Sequence, residues 1–195
     1  MMADVYLPVK PRSDIALINA MMHVIIKVGK SNRDYINQHT TGFSELCAHL
    51  EKYTPEYASE ITGLTEDQIR KVALLYANAK DPFIGWTMGV HHSTQGTETV
   101  NAICDLALIT GNVGKVGASP FSITGQCNAM GTRESGFTSS LPGYRKFENA
   151  RDRSELAALW GVQEEIIPTA RGLAYPDIIE GILRGKIKGL WIIAT

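Results

Sequence analysis

The 195-residue chain has few cysteines, and no two of them are close enough in sequence to bind one metal ion. Cys47, Cys104 and Cys127 are far apart, and no CxxC motif occurs. The local ligand patterns of zinc sites and iron–sulfur clusters are therefore absent, and so is a disulfide framework. We expect reduced thiols, which are typical of a cytoplasmic protein, and no metal ligands within this chain.

An excess of charge of one sign is also missing. The chain has 19 Lys and Arg residues against 20 Asp and Glu residues, so its net charge is −1. No basic region predicts binding to nucleic acid, and no acidic block predicts a solvated tail. Apolar residues make up 44% of the chain, which excludes a disordered protein and allows a sizeable core.

No apolar run is long enough to cross a membrane. The longest run, from Ile15 to Val28, contains His23 and Lys27 and falls short of the roughly 20 apolar residues that a spanning helix needs. We therefore expect a cytoplasmic protein with neither a membrane nor a nucleic-acid partner.

Residues 1–80 predict a succession of helices. Capping residues, a proline at a first helical position and apolar residues on one helix face mark their starts. The expected helices end near Val28, Gly63 and Ala79. Since the first of them is apolar on most sides, we expect other elements to cover it.

Residues 81–110 predict a strand followed by a helix. The apolar run Pro82–Thr87 is short and bounded by turn residues, as in a strand buried on both faces. Apolar residues at helical spacing follow over Thr97–Thr110, and Gly111 ends that helix.

Residues 151–195 predict two helices and a final strand. Asp152–Glu155 has the pattern of a capping box, opening a helix that Gly161 ends. Pro176 opens the last helix. We expect the inner face of that helix to carry Ile178, Ile179, Ile182 and Leu183. The apolar run Gly189–Thr195 is typical of a second buried strand.

Strands that alternate with helices predict an α/β fold, in which helices flank a layered parallel sheet. We expect a single α/β domain over residues 1–195, with a helix-rich first third. The last strand would end where ligands bind in open α/β sheets, just beyond the carboxyl ends of the strands. The chain is therefore expected to be a fragment of a larger multi-domain protein.

Residues 111–150 are rich in Gly, Ser, Thr, Asn and Pro and show neither helical nor strand periodicity. A stretch of this length without regular structure is unusual in a compact domain unless it lines a site. We therefore expect an irregular loop here that faces a ligand.

Within this loop, Arg133 and Glu134 are the strongest candidates for chemistry. A guanidinium group offers a planar fork of donors that matches a planar oxyanion such as carboxylate or nitrate. Glycines on both sides, Gly131 and Gly136, allow the backbone to approach a ligand closely. A surface ion pair in a turn is the alternative, and the residues alone leave both interpretations open.

Other polar groups give weaker signals. His91 and His92 follow the first strand, but neighbouring residues on an extended segment point to opposite faces, so one ion cannot easily bind both. The run Gly111–Gly117 lacks the spacing of phosphate-binding loops and favours a helix end followed by turns. Thr124–Asn128 offers amides and a hydroxyl to a polar ring, or forms an ordinary loop.

Four ordered motifs resemble a known family. They are Gly85–Val90, Leu108–Gly114, Thr124–Glu134 and Leu141–Arg145. Together they are similar to the catalytic subunits of molybdopterin-dependent nitrate reductases, in the DMSO-reductase family, and most to the assimilatory, cytoplasmic branch. The segments Ala3–Asp14 and Leu190–Thr195 also resemble that family, so the resemblance covers nearly the whole chain.

The resemblance implies a multi-domain parent enzyme that reduces nitrate to nitrite. Its molybdenum ion is held by two molybdopterin guanine dinucleotides, and a 4Fe–4S cluster and the molybdenum ligand lie outside this segment. Electrons come from a donor protein or a reductase subunit. We expect the fragment to need the remaining domains of the same polypeptide, to hold no cofactor alone and to be inactive alone.

The resemblance also assigns residues to the site. Arg133 is expected at the base of the nitrate funnel, where Glu134 orients it. Met88 is expected to give an apolar contact beside the metal, and His92 a polar one. The residues expected to bind the cofactor are Met88, Gly89, His92, Thr124, Gly125 and Gln126.

Three other functions stay open. The parent could be a formate dehydrogenase of the same family, because the molybdenum ligand lies outside the segment. The chain could be a free-standing α/β module that binds a nucleotide without redox chemistry. It could also be a structural domain whose long loop serves packing alone.

Overall fold

The computed structural model of the chain describes residues 3–137 and 139–192. The contacts between residues divide the chain into two compact units, Met1–Thr124 and Gly125–Thr195. The α/β class is confirmed, because many helices accompany two strands that pair in parallel. The single domain over residues 1–195 stays a prediction.

Seven helices and two strands lie among the described residues of the first unit. The helices are α1 (Asp14–Lys27), α2 (Arg33–His39), α3 (Phe43–Leu50), α4 (Pro55–Thr62), α5 (Glu66–Asn78), α6 (Met88–His91) and α7 (Gly96–Ile109). The strands are β1 (Phe83–Trp86) and β2 (Ser119–Ser122). The predicted ends of α1, α4 and α5 are confirmed to within one residue.

Helix α1 lies at the centre of the core of this unit. It packs against α3, α4, α5 and α7, and its Met22 and Ile25 side chains are fully buried. The expectation that other elements cover this apolar helix is confirmed. Burying a side chain of this size favours folding by about 1.5–3 kcal/mol, so the contacts of α1 are a main source of the unit's stability.

The starts of α4 and α5 follow from local side-chain chemistry. The hydroxyls of Thr54 and Thr65 accept hydrogen bonds from the main-chain N–H groups of Tyr57 and Gln68, at 3.3 and 3.2 Å. The Gln68 side chain in turn accepts a hydrogen bond from the Thr65 N–H at 2.9 Å, which completes a capping box. These bonds satisfy N–H groups that have no partner inside the helix.

Strands β1 and β2 pair in parallel, with Phe83 opposite Ser119 and Trp86 opposite Ser122. Trp86 is buried, whereas Phe83 is 57% exposed. The prediction that β1 is buried on both faces is therefore wrong. Successive side chains of a strand point to opposite faces. Among the described residues, β1 therefore packs on the core through only one of its two faces.

The second unit contains three helices among its described residues. They are α8 (Ala129–Glu134), α9 (Ala150–Trp160) and α10 (Tyr175–Leu183). Two 3-10 turns, at Pro142–Tyr144 and Glu164–Ile166, accompany them. A small core is formed by Leu141, Leu156, Ala157 and Ile167, with Phe147 packed against it.

The expectation of an irregular loop over residues 111–150 is wrong in part. Strand β2, helix α8 and a 3-10 turn all lie within it. Strand β2 has the sequence Ser-Pro-Phe-Ser, and α8 has six residues, so neither is long enough to show a period. The pairing of β2 with the distant β1 defines it as a strand, and local sequence carries no sign of that pairing.

The predicted start of α9 is also wrong. The helix begins at Ala150, before the expected capping box at Asp152–Glu155. The Asn149 side-chain oxygen accepts hydrogen bonds from the N–H groups of Arg151 and Asp152, at 3.0 and 3.5 Å. Asparagine is among the best helix caps, so this earlier start is the favoured one.

The expected inner face of α10 and the final strand need correction as well. Ile179, Ile182 and Leu183 are all exposed, Leu183 at 76%, so within the described unit this face is not an inner one. Residues 189–192 are exposed and belong to no strand. The rest of the expected strand, residues 193–195, lies outside the described residues.

No helix in the described ranges has the length and apolar content to span a membrane.

Asp105, on α7, leads to a pH-dependent prediction. Burial raises the pKa of its carboxyl group above the ordinary value. Because the folded-state pKa is the higher one, the stability that this group contributes is present at low pH and is lost as the pH rises through that pKa. We expect Asp105→Asn to raise the midpoint of thermal unfolding near pH 7, and the gain to shrink toward about pH 4.

Thermal unfolding at both pH values, followed by circular dichroism, tests this prediction. The exposed Asp4 provides the control, since Asp4→Asn removes a carboxylate without relieving burial. An equal gain for Asp105→Asn at both pH values would contradict the role of burial.

Candidate functional site

A groove opens at the carboxyl end of β1. The Ile123 N–H donates a hydrogen bond to the Trp86 carbonyl at 2.8 Å, so the parallel pairing extends to the last residue of β1. The chain then turns at Thr87 into α6. The groove has a volume of about 730 Å³, which is in the range of small-molecule sites. Its position beyond a strand's carboxyl end is where open α/β sheets bind ligands.

Two segments of the first unit line this groove, Val9–Asp14 and Gly85–Thr94. In the second segment the Thr87 hydroxyl accepts a hydrogen bond from the Met88 N–H. The Ser93 hydroxyl donates to the Val90 carbonyl at 3.2 Å. Together with the exposed Thr94, these residues offer hydroxyl groups to a polar ligand.

The first segment brings charge to the groove through Lys10, Arg12 and Asp14. Lys10 is engaged elsewhere, since its Nζ donates to the Glu60 carbonyl at 3.2 Å. Arg12 forms neither a hydrogen bond through its side chain nor an ion pair with the residues that the structure describes. With two cationic groups and one carboxylate, the groove favours an anionic ligand.

Three of the predicted cofactor residues lie on or beside α6. Gly89 and His92 line the groove. Met88 is 48% exposed on the same helix but is not among the groove-lining residues. Thr124 is exposed two residues beyond β2 and is not in the lining either. The structure thus brings Gly89 and His92 together at one groove.

The two neighbouring histidines do not lie on an extended segment, so that expectation is wrong. His91 is the last residue of α6 and His92 its C-cap, and their rings lie nearly perpendicular with centroids 4.8 Å apart. Over residues 3–137 and 139–192, no group of three or more His, Cys, Asp or Glu side chains is placed to hold a metal ion. His92, which lines the groove, has a ring that can form a hydrogen bond with a ligand.

Arg133 and Glu134 belong to the second unit, at the end of α8. The Asn128 side-chain oxygen accepts from the Gly131 N–H at 3.1 Å and starts this helix. Arg133 is exposed, with its Nη1 3.9 Å from the Met130 sulfur. Both members of the predicted pair lie on a helix and no ion pair joins them within the described ranges, so the alternative of an ion pair in a turn is wrong.

Gly125 and Gln126 are exposed and precede the helix cap of α8. They and Arg133 belong to one unit, whereas Gly89, His92 and Thr124 belong to the other. Sequence reasoning missed the contribution of Lys10 and Arg12 to the groove. Only the resemblance of Ala3–Asp14 to the family marked that segment, and the resemblance assigned no role to Lys10 or Arg12.

Comparison with known proteins gives one consistent result. A family model described as molybdopterin oxidoreductase matches residues 2–194. The nitrate reductase of Synechocystis sp. is 37% identical over 99% of this chain and 27% of its own length. The assimilatory nitrate reductase catalytic subunit of Bacillus subtilis is 34% identical over 99% of this chain and 27% of its own length.

Formate dehydrogenases are also similar, and so is one solved structure. Formate dehydrogenase H of Escherichia coli is 36% identical over 97% of this chain and 26% of its own length. The structure of acetylene hydratase from Pelobacter acetylenicus matches with a TM-score of 0.58 and 28% identity, over 60% of this chain and 16% of that one. The chain therefore spans about 27% of the length of the first curated relatives that it matches.

Proposed function

Because this chain belongs to the molybdopterin oxidoreductase family, we propose that it forms part of the catalytic subunit of a nitrate reductase, which reduces nitrate to nitrite. The groove at the carboxyl end of β1 carries this proposal, since its volume, hydroxyl groups and positive charge suit a polar, anionic cofactor. The likeness to two nitrate reductases over 99% of the chain supports the choice of substrate.

In this proposal the groove holds part of the molybdopterin cofactor. A Cβ atom placed on Gly89 has nothing within 4 Å, so the surface of α6 has room for a flat ring system at that point. Thr87, Ser93 and His92 supply polar contacts from the groove lining, and Met88, on α6 beside that lining, is proposed to supply an apolar one. When bound, the cofactor supplies the electron pair that nitrate reduction requires.

Arg133 binds the substrate in this proposal. Its guanidinium group can donate two parallel hydrogen bonds to the oxygens of nitrate, a planar monoanion. As one N–O bond breaks, negative charge grows on the departing oxygen, which two protons from solvent convert to water. A fixed positive charge stabilises that growing charge. Glu134 is proposed to orient Arg133.

The rest of the reaction needs the remaining polypeptide of the parent. We assign to it the second half of a bis(molybdopterin guanine dinucleotide) site, a 4Fe–4S cluster and contact with an electron-donor protein or reductase subunit. The parent is proposed to work in nitrate assimilation in the cytoplasm.

Formate oxidation is the second candidate, and one observation favours it. Formate dehydrogenases are 36% and 38% identical to this chain over 97% and 91% of its length. Formate is also a small planar monoanion, so Arg133 would suit it for the same physical reason. The groove suits both candidate functions equally, so only a measurement of substrate preference distinguishes nitrate reduction from formate oxidation.

Activity assays on the complete gene product test the proposed function. We expect nitrate reduction with a chemical electron donor, dependence on molybdenum, and little formate oxidation. The 195-residue chain alone is the matched control. It should contain no stoichiometric molybdenum or iron and should reduce no nitrate, because most of the cofactor site lies elsewhere.

Two outcomes would overturn this assignment. Formate oxidation without nitrate reduction would assign the parent to the second candidate. Nitrate reduction by the 195-residue chain alone would show that the site is complete within it.

A further inference from the structure

We propose that the outer face of the β1–β2 pair, defined by Phe83, Phe121 and Ile123 with Gly85 between them, is an interaction surface. Its partner is an apolar helix face of the remaining polypeptide of the parent. This inference rests on the proposed function in one respect, because it takes the chain as part of a longer catalytic subunit. Phe83, Phe121 and Ile123 are not among the groove-lining residues, so the surface is separate from the candidate cofactor site.

The register of the two strands places these residues on one side of the sheet. Gly85 lies opposite Phe121, and side chains two positions apart on a strand share a face. Phe83 lies two residues before Gly85 on β1. Ile123 lies two residues after Phe121, where its N–H continues the pairing through the bond to the Trp86 carbonyl at 2.8 Å. The Trp86 side chain lies on the opposite face and belongs to the core.

The side chains of the outer face form a continuous apolar surface. The ring centroids of Phe83 and Phe121 are 5.8 Å apart. A Cβ atom placed on Gly85 would lie 2.8 Å from Ile123 Cδ1 and 3.0 Å from Phe83 Cε1, so these two side chains close over the glycine. Phe83, Phe121 and Ile123 are nevertheless 57%, 52% and 47% exposed. They are packed against one another, and about half of their surface is uncovered.

Parallel strands normally have both faces of their sheet covered by helices. Here the crossover between β1 and β2 contains α7, which packs against β2, and the face with Trp86 is buried in the core. Within the part of the chain that the structure describes, the outer face has no such cover. Its polar residue Ser119 donates its hydroxyl hydrogen bond to the Pro120 carbonyl at 3.2 Å. An apolar helix face is therefore the element that fits this surface.

The area of the outer face argues against a second copy of the chain as the partner. Three side chains that are each about half exposed present roughly 300 Å² of apolar surface. A stable dimer buries roughly 800 Å² on each partner. A segment of the same polypeptide needs less area, because its association does not cost the translational freedom of a separate molecule. The Synechocystis relative is covered over only 27% of its length, so a parent of that size has ample chain for this role.

Hydroxyl-radical footprinting of the complete gene product tests the proposal. The oxidation rates of Phe83 and Phe121 are measured in the folded protein and in the same protein unfolded in urea, with an added peptide as dosimeter. Close packing of a helix on the face should slow both rates by at least about fivefold. Without a cover the slowing should be about twofold, in proportion to the exposure of each side chain. Trp86 provides the buried reference.

Substitutions of Phe121 in the complete gene product give an independent measurement. Phe121→Thr keeps a residue that favours strands, whereas Phe121→Asp places a carboxylate under the proposed cover, where no partner compensates its burial. We expect the unfolding midpoint of the Asp variant to lie more than about 5 °C below that of the Thr variant. Val116 provides the matched control pair, because it is 96% exposed and its Asp and Thr variants should have similar midpoints.

The other outcomes are also decisive. Slowing of Phe83 and Phe121 by less than fivefold, or a difference between the Phe121 variants no larger than that between the Val116 variants, would overturn the proposal. Protection of both phenylalanines in a dimer of the 195-residue chain would assign the face to a second copy and would also overturn it. Loss of nitrate reduction with protection intact would remove the proposed function alone. Unprotected phenylalanines in a parent that reduces nitrate would remove this inference alone.

Discussion

Replacing Arg133 with alanine is expected to lower kcat/KM for nitrate about 100-fold in the complete enzyme. The expectation follows from the proposed role of the guanidinium group, which binds a monoanion and stabilises the charge that grows on the departing oxygen. Removal of a single preorganised donor of this kind typically costs 10²–10³ in rate. Arg133 ends a short helix and is exposed, so its loss should leave folding unchanged.

Steady-state kinetics with nitrate as the varied substrate measure this effect. A rise in KM alone would indicate that Arg133 binds ground state and transition state equally, whereas a fall in kcat would indicate transition-state stabilisation. Arg133→Lys should lie between wild type and alanine. Arg151→Ala is the control, because it removes an exposed arginine of α9 that pairs with Glu155. Unchanged kinetics for Arg133→Ala would remove Arg133 from the site.

The helices of the first unit could be predicted because their signals are local. Thr54 and Thr65 mark helix starts through hydrogen bonds that span only three residues, and Pro55 marks one through its fixed φ. Such bonds are the same whatever the rest of the chain does. The spacing of apolar residues on α1 likewise predicted a covered helix before any neighbour was known.

Strand β2 could not be predicted because its signal is not local. A four-residue strand that contains a proline has almost no propensity of its own, and its partner β1 lies more than 30 residues earlier in the chain. The prediction of a final strand was wrong for a related reason. An apolar run predicts burial, but the described residues 189–192 are exposed and have no paired strand.

The candidate site likewise contains residues that could be predicted from the sequence and one that could not. Gly89 and His92 were found through a resemblance of motifs, and the structure places them in one groove. Arg12 was not found as a groove residue, because an arginine after a proline is ordinary in sequence. Its unusual feature is the positive φ, which exists only once Ser13 and Lys10 close the turn. A backbone conformation that depends on the closure of a turn cannot be predicted from the residue types alone.

Gly96→Ala is expected to be the most damaging single substitution in the groove region. Gly96 is the first residue of α7 and is buried. A Cβ atom added there would lie 2.4 Å from the carbonyl oxygen of His91 and 2.8 Å from its carbonyl carbon. These are backbone atoms, so only a shift of α6 against α7 can relieve the clash. Overpacking of this kind costs about 1–3 kcal/mol.

This shift should be seen both in stability and in the groove. The midpoint of thermal unfolding should fall by roughly 2–12 °C, given about 2–4 °C per kcal/mol for a chain of this size. Moving α6 also displaces Gly89 and His92, so under the proposed function the complete enzyme should retain less molybdenum cofactor, even though Gly96 lies outside the groove lining. Calorimetry measures the unfolding midpoint, and the molybdenum content of the purified complete enzyme measures cofactor retention.

Gly89, on α6, is the control that shows whether a loss of stability comes from the clash at Gly96 or from replacing a helical glycine in general. Gly89 does not have a positive φ, and a Cβ atom there would meet nothing within 4 Å, so Gly89→Ala should keep or raise the unfolding midpoint. If Gly96→Ala were as stable as Gly89→Ala, the close approach of α7 to His91 would not hold α6 in place. A fall in stability for Gly96→Ala alone would instead mean that the groove's geometry depends on one missing methyl group at the start of α7.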